Sequence, residues 1–396
     1  MTRLDSSTPS LSDGRPAVIL QVLPSLTTGG VERGTVDVAH ALMRAGCQAI
    51  VASSGGTMVR ELERAGATHM TLPVDSKNPW RMRANIEALS ELILRHEVDL
   101  VHARSRAPAW SAYFAAKRTQ RPFITTFHGT YGAGNPLKRL YNSVMTRGDR
   151  VIAISRFIAR HLTETYGTDP KRIRVIPRGV DFLSFAPEQV KPERISTLSR
   201  TWRLPDGVPL VLLPGRLTRW KGQTVLIEAL AELQRSDLVC VIAGSEQGRA
   251  AYRRELEALI QARGLASQVR LVGECRDMPA AYMLADVVVS ASTEPEAFGR
   301  VVAEAQAMGR PVVATDHGGS LETLLPGETG WLVKPRDASG LAHALATALG
   351  LGVDARRSLS ERAIANARQN FSKEVMCRDT LKVYAEVLQS AEAEAA

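Results

Sequence analysis

Ala285-Asp-Val-Val-Val-Ser-Ala-Ser292, then Glu296-Ala-Phe-Gly-Arg-Val-Val-Ala-Glu304, then Pro311-Val-Val-Ala-Thr315 are the segments on which the fold turns. The first is a short run rich in β-branched residues, as expected of a strand buried on both faces. An apolar helical pattern follows through Ala303, Ala305, Ala307 and Met308, and a second strand ends at the pair Gly318-Gly319. Strand, loop, helix and strand are the repeating unit of a parallel sheet. Glu296 then falls in a loop at the carboxyl edge of that sheet, and Glu304 lies one turn into the helix. Open α/β sheets bind ligands at this edge, and the free N–H groups of a helix N-terminus attract phosphate. Two carboxylates repel phosphate itself but accept hydrogen bonds from hydroxyls, so a phosphate-linked sugar fits the pair. Taken alone, the two residues read better as a loop glutamate and a solvated helix glutamate.

The same alternation runs outward along the chain. Strands are expected at Ala17-Val-Ile-Leu-Gln-Val-Leu, Ala49-Ile-Val-Ala, Leu100-Val-His-Ala, Phe123-Ile-Thr-Thr, Arg150-Val-Ile-Ala and Arg174-Val-Ile-Pro, with a helix from Thr35 to Arg44. A polar, basic stretch interrupts the rhythm, which restarts at Pro209-Leu-Val-Leu-Leu and continues at Val239, Val269, Val287 and Val312. The division expected is a disordered tail over 1–15, an N-terminal domain over 16–186, a linker over 187–206, a C-terminal domain over 207–372 and a final helix over 373–396. A chain of 396 residues is long enough for two cores.

Composition narrows the partners. Cys47, Cys240, Cys275 and Cys377 are scattered without metal-ligand or redox spacing, and Cys240 sits in an apolar strand as a reduced thiol. No apolar run reaches membrane-spanning length and no basic leader precedes Ala17, so a cytoplasmic protein is expected. Residues 1–200 carry 28 Lys/Arg against 17 Asp/Glu, whereas the remainder is slightly acidic. That asymmetry implies an acidic partner for the N-terminal half. Nucleic acid is the weaker choice, since no nucleic-acid-binding motif is present.

Glu296 and Glu304 flanking Phe298-Gly299, with Gly309-Arg-Pro-Val-Val313 after them, resemble the retaining glycosyltransferases of family four. The resemblance covers roughly residues 17 to 385. It implies the GT-B fold, two Rossmann-like domains facing across a cleft, with the last helix returning to the first domain. It further implies transfer of a sugar from a nucleoside diphosphate sugar, by family frequency a UDP-sugar, with retention of anomeric configuration. A nucleotide-sugar epimerase of the same architecture and a non-catalytic binding module are the alternatives.

The loops at strand ends then take roles. Thr27-Thr-Gly-Gly-Val-Glu-Arg-Gly34 is a glycine turn without dinucleotide-fingerprint spacing, and the resemblance puts Gly29 and Gly30 beneath the donor diphosphate and sugar. His128, between a strand and a Gly-rich loop, corresponds to the histidine that contacts a hydroxyl of the donor sugar. Arg216 and Lys221, in Pro214-Gly-Arg-Leu-Thr-Arg-Trp-Lys-Gly222, are two cations able to bracket a diphosphate. Replacing either is expected to spare folding and cut turnover. By analogy Glu304 holds the ribose and Glu296 the sugar, with Phe298, Gly299 and Arg300 at the helix entry and Gly244 and Arg276 bordering the donor. Ser155, Arg156 and Arg178 are acceptor candidates, and the family often has Asn where Arg178 stands. No Asp-x-Asp signature is present, so no metal and no cofactor are expected. The acceptor expected is a saccharide or lipid-linked glycan of the cell envelope, such as lipopolysaccharide. Basic and aromatic residues in 77–83 and 104–121 suggest docking on the anionic inner face of the cytoplasmic membrane.

Overall fold

The computed structural model describes residues 15–27, 29–132 and 134–395. Of the expected tail only Arg15 lies among them, and it is paired with Asp99 at 2.5 Å. Among the described residues lie thirteen strands: β1 (Val18–Val22), β2 (Gln48–Ser53), β3 (Thr68–Thr71), β4 (Leu100–Ala103), β5 (Phe123–Phe127), β6 (Arg150–Ala153), β7 (Ile173–Val175), β8 (Leu210–Pro214), β9 (Val239–Ala243), β10 (Val269–Gly273), β11 (Val287–Ser290), β12 (Val312–Thr315) and β13 (Gly330–Val333). They form two sheets, ordered β3-β2-β1-β4-β5-β6-β7 and β10-β9-β8-β11-β12-β13. Every pairing in both is parallel. Each chain run doubles back beside its first strand, so the strand order reverses between β1 and β4 and again between β8 and β11. Such switch points leave a crevice at the carboxyl ends of the strands, where ligands bind.

The chain divides into two compact units. One ends at Gly179 and takes in the helix Lys373–Ala395, and the other runs from Val180 to Ser372. In the first, Ile19, Val51, Leu100, Ile124 and Ile152 on one sheet face share a core with Leu381, Tyr384 and Leu388 of that last helix. In the second, neighbouring strand residues alternate between faces. Val211, Leu213, Ile242 and Val289 enter one core, and Leu210, Leu212, Val241 and Val288 enter the other. Burial on both faces is why these strands read as continuous apolar runs.

Three sequence expectations are corrected. The edge strands β3 and β13 went unseen, because an edge strand bonds on one side only and need not be uniformly apolar; Thr68 and Thr71 are exposed. The first helix is Gly30–Arg44, starting immediately after Gly29 rather than at Thr35. The stretch 187–206 is not a linker. It carries a helix, Pro192–Thr201, and belongs to the second unit. Val190 and Trp202 are buried in its core, and Arg194 pairs with Asp277 at 2.6 Å.

Candidate active-site residues

In the second unit, three loops at the carboxyl edge close on one another. Gly222 has a left-handed φ of 71°, and a Cβ there would stand 1.8 Å from the Ala291 carbonyl oxygen. Only glycine permits both. The turn that it allows ends the short helical segment Arg219–Lys221 and carries Lys221 against the loop after β11. Thr293 N donates to the Trp220 carbonyl at 2.7 Å and Gly319 N to the Glu296 carbonyl at 2.7 Å, so the Glu296 loop is held from both sides. Gly244, after β9, approaches so closely that a Cβ would stand 1.9 Å from the Gly215 carbonyl oxygen.

Lys221 Nζ donates to Glu296 Oε1 at 2.7 Å. Ser292 Oγ reaches the same oxygen at 2.5 Å and Ser290 Oγ at 3.4 Å. Burial pushes the Glu296 carboxyl up. The Lys221 charge and the bonds from Lys221, Ser292 and Ser290 outweigh it and hold the group below its ordinary value. All three bonds converge on Oε1, which leaves Oε2 to accept from a hydroxyl. An ammonium has three N–H donors, so Lys221 can serve an anion while tethered. Arg216 is exposed at the rim, with Nη1 3.5 Å from Gln247 Oε1.

Glu304 is 7% exposed. Its Oε1 accepts from Arg300 Nε at 2.6 Å and its Oε2 from the Tyr282 hydroxyl at 2.9 Å. Burial, with the Glu304 charge next, pushes the Tyr282 phenol well above its usual value, so Tyr282 stays a donor. Gly299 precedes the helix Arg300–Ala307, whose first N–H groups point out of this edge. Phe298 differs from expectation: its ring is buried, edge-on to Phe371 at 5.6 Å, and leaves only its main chain to a ligand. Arg276 is exposed beyond β10, on the far side of the sheet from β11.

In the first unit, Gly29 and Gly30 open the helix Gly30–Arg44. Both ring nitrogens of His128 are shut off from solvent and neither makes a hydrogen bond of ordinary geometry. Burial, then the charges of Arg178 and Arg104, hold its pKa well below the usual histidine value, so the imidazole is neutral. Ser155 is a buried helix cap, its hydroxyl accepting from Ile158 N at 3.1 Å, and Arg156 is exposed beside it. Arg104, read from sequence as part of a basic surface, is in fact 3% exposed. Sequence reasoning also missed Ser290, Ser292 and Tyr282, which position the two glutamates. A serine ending an all-valine strand was the available signal.

Taken together, the second unit offers cations, helix N–H groups and two oriented carboxylates at one sheet edge, a set suited to a diphosphate joined to polyhydroxyl groups. The sequence pattern of Glycosyltransferase Family 4 matches residues 28–182, and that of Glycosyl transferases group 1 matches residues 195–370. The chain belongs to glycosyltransferase family 4. A D-inositol 3-phosphate glycosyltransferase of Xylanimonas cellulosilytica is 33% identical over 303 residues, covering 73% of this chain and 72% of that protein. A glycosyltransferase from Rickettsia africae superposes with a TM-score of 0.88 at 40% identity, over 94% of this chain and 99% of that one. HepE of Anabaena, solved with UDP and glucose, superposes with a TM-score of 0.80 at 25% identity, over 94% of this chain and 100% of its own. This glycosyltransferase therefore has the GT-B architecture in both its sheets, and it uses a nucleotide sugar. Transfer displaces the epimerase and the silent binding module as readings.

Proposed function

We infer that this family 4 enzyme transfers a hexosyl group from a UDP-sugar, with retention, to a phosphorylated or lipid-linked saccharide or polyol. The observation that carries the donor assignment is the Lys221–Glu296 bond at 2.7 Å, which couples a phosphate-binding cation to a sugar-binding carboxylate. As the bond from the anomeric carbon to the diphosphate breaks, charge develops on the departing phosphate. Arg216, the remaining N–H groups of Lys221 and the helix entry at Gly299 stabilise it. Glu296 Oε2 accepts from a sugar hydroxyl, and Glu304 from the ribose. The uracil base is supported by Anabaena HepE, which was solved with UDP-glucose. Relatives acting on inositol 3-phosphate support an acceptor of phosphorylated type. A panel of UDP-, GDP- and ADP-sugars in thermal unfolding tests this, because a ligand of the folded state raises the melting temperature by linkage. Stabilisation by no UDP-sugar overturns the donor assignment.

The acceptor belongs, on this reading, with the first unit, whose surface also supports action at an anionic membrane in envelope-glycan synthesis such as lipopolysaccharide. No helix among the described residues is long and apolar enough to cross a membrane. Trp80 is 81% and Leu137 76% exposed, with Leu140 and Phe114 exposed as well. Lys77, Arg81, Arg83, Lys138 and Arg139, all exposed, lie among them in sequence. Each such cation near an anionic surface contributes about 1 kcal/mol, screened by salt, and exposed aromatic and leucine side chains suit the headgroup boundary.

A further inference from the structure

At the amino edge of the first sheet, opposite the edge that carries His128, three neighbouring strands have an arginine at or just before their first residue. Arg121 stands two residues before β5, Arg150 opens β6 and Arg172 directly precedes β7. Parallel pairing of β5 with β6 and of β6 with β7 brings these positions side by side. With Asp149 they line a cleft of about 740 Å³, to which Val387 and Ser390 of the helix Lys373–Ala395 also contribute. Sites for small molecules span roughly 300–1,000 Å³, so the cleft has room for one.

The arginines differ in how they are held. Arg150 is fixed from behind, its Nε donating to Glu386 Oε1 at 2.8 Å, while Arg174 Nε donates to Glu386 Oε2 at 2.9 Å. One carboxylate thus serves two guanidinium groups. Arg172 donates to the Gly148 carbonyl, a neutral acceptor. Asp149 is the single carboxylate among the described lining residues, and its Oδ2 accepts from Phe123 N at 2.7 Å. Among the described residues Arg121 has no ion pair and no side-chain hydrogen bond, and its Nε is shut off from solvent as well. An enclosed N–H without an acceptor costs stability, and like charges gathered at one edge repel. Solvation meets the exposed charge but not the enclosed Nε. A phosphate group meets both, because its oxygens accept several N–H bonds at once and guanidinium forks match them.

We propose that this cleft binds a phosphorylated small molecule, whose phosphate or diphosphate group is held by Arg121, Arg150 and Arg172. The site lies apart from the donor-binding edge and does not depend on the transferase reading. The test is calorimetric titration of the full chain with inorganic pyrophosphate while UDP saturates the donor site. The wild type binds pyrophosphate under these conditions. Arg121→Gln and Arg172→Gln each weaken that binding about tenfold or more, as loss of a charged hydrogen-bonded contact should. Arg95→Gln, which removes an exposed charge outside the cleft, leaves it unchanged. Thermal unfolding without ligand shows that each variant is folded, and Arg121→Gln alone suffices where Arg172→Gln is not. Pyrophosphate also raises the melting temperature of the wild type more than that of Arg121→Gln, by linkage. No pyrophosphate binding once UDP is present, equal binding by Arg121→Gln, or equal weakening by Arg95→Gln overturns the site. Should UDP fail to bind the wild type, the donor reading falls separately, and wild type against Arg121→Gln in pyrophosphate alone still reads the cleft. Sedimentation with phosphatidate vesicles, against phosphatidylglycerol vesicles of equal charge, decides the source of the phosphate. Loss of phosphatidate binding in Arg121→Gln makes it a lipid headgroup and overturns the soluble ligand; unchanged binding supports the soluble one.

Discussion

Lys221 Nζ sits 2.7 Å from Glu296 Oε1 with both side chains nearly closed to water, at 13% and 12% exposure. This relationship ties the stability of the second unit to its chemistry, because each group compensates the burial of the other.

Lys221→Ala is expected to destabilise the protein as well as inactivate it. Removing one partner of a buried ion pair costs roughly 3–5 kcal/mol, since the other is left uncompensated. The expectation from sequence that either basic residue could be removed without affecting folding is revised accordingly for Lys221. Arg216 is exposed, so Arg216→Ala should unfold in denaturant as the wild type does while turnover drops by about a hundredfold. Denaturant unfolding and nucleotide release from the selected UDP-sugar measure the two effects. Equal stability of the two variants would show that the Lys221–Glu296 pair is solvated.

Acid dependence follows from the same pair. The folded-state pKa of Glu296 lies below its ordinary value of 4.5. Its contribution to stability is therefore complete above that value and is lost as pH falls through the depressed folded-state value. Glu296→Gln cannot titrate. The difference in unfolding free energy between wild type and Glu296→Gln should be constant from pH 7 to about 5 and shrink below pH 4.5. A difference that shrinks between pH 7 and 6 would assign the effect to another group.

Tyr282 fixes one oxygen of Glu304, so Tyr282→Phe should weaken free UDP by about fivefold, the worth of one hydrogen bond. Glu304→Ala should weaken free UDP further, and Glu296→Ala should affect the intact UDP-sugar more than UDP. Calorimetry with both ligands separates these cases; equal losses of UDP affinity in Glu304→Ala and Glu296→Ala would contradict the division of roles.

Both ring nitrogens of His128 are buried without a hydrogen bond of ordinary geometry, an arrangement that costs stability. His128→Leu is expected to melt at or above the wild-type temperature while turnover falls by about a hundredfold or more. Wild-type turnover in that variant would remove the imidazole from the reaction.

Vesicle sedimentation tests the membrane surface. Binding should rise with anionic lipid, fall from low to physiological salt, and drop in Leu137→Asp/Leu140→Asp. Equal partitioning to neutral and anionic vesicles would remove the membrane part and leave the transferase assignment standing.

Doubly buried strands such as Val287–Ser290 were legible because burial on both faces demands unbroken apolar residues. The edge strand Thr68–Thr71 was not, since solvent on one side relaxes that demand. The supposed linker also held a readable signal: Ile195, Leu198 and Trp202 lie at helical spacing amid the charge, and all three pack on the core of the second unit.

Residue order by itself determined the alternation of strand and helix, the parallel sheets that it compels, and the placement of Glu296, Lys221 and His128 at strand ends. Those follow from local periodicity and from the rule that ligands meet a sheet at its carboxyl edge. Only the tertiary structure decided which side chains meet. Lys221 and Glu296 are 75 residues apart in the chain, and Arg104 and Gln21 are 83 apart. Charge and hydrogen bonding act through space at a few ångströms, and folding, not chain order, sets that spacing. Arg104 shows the difference most plainly: in sequence it is one basic residue among many, and in the fold it is a buried cation held by Gln21.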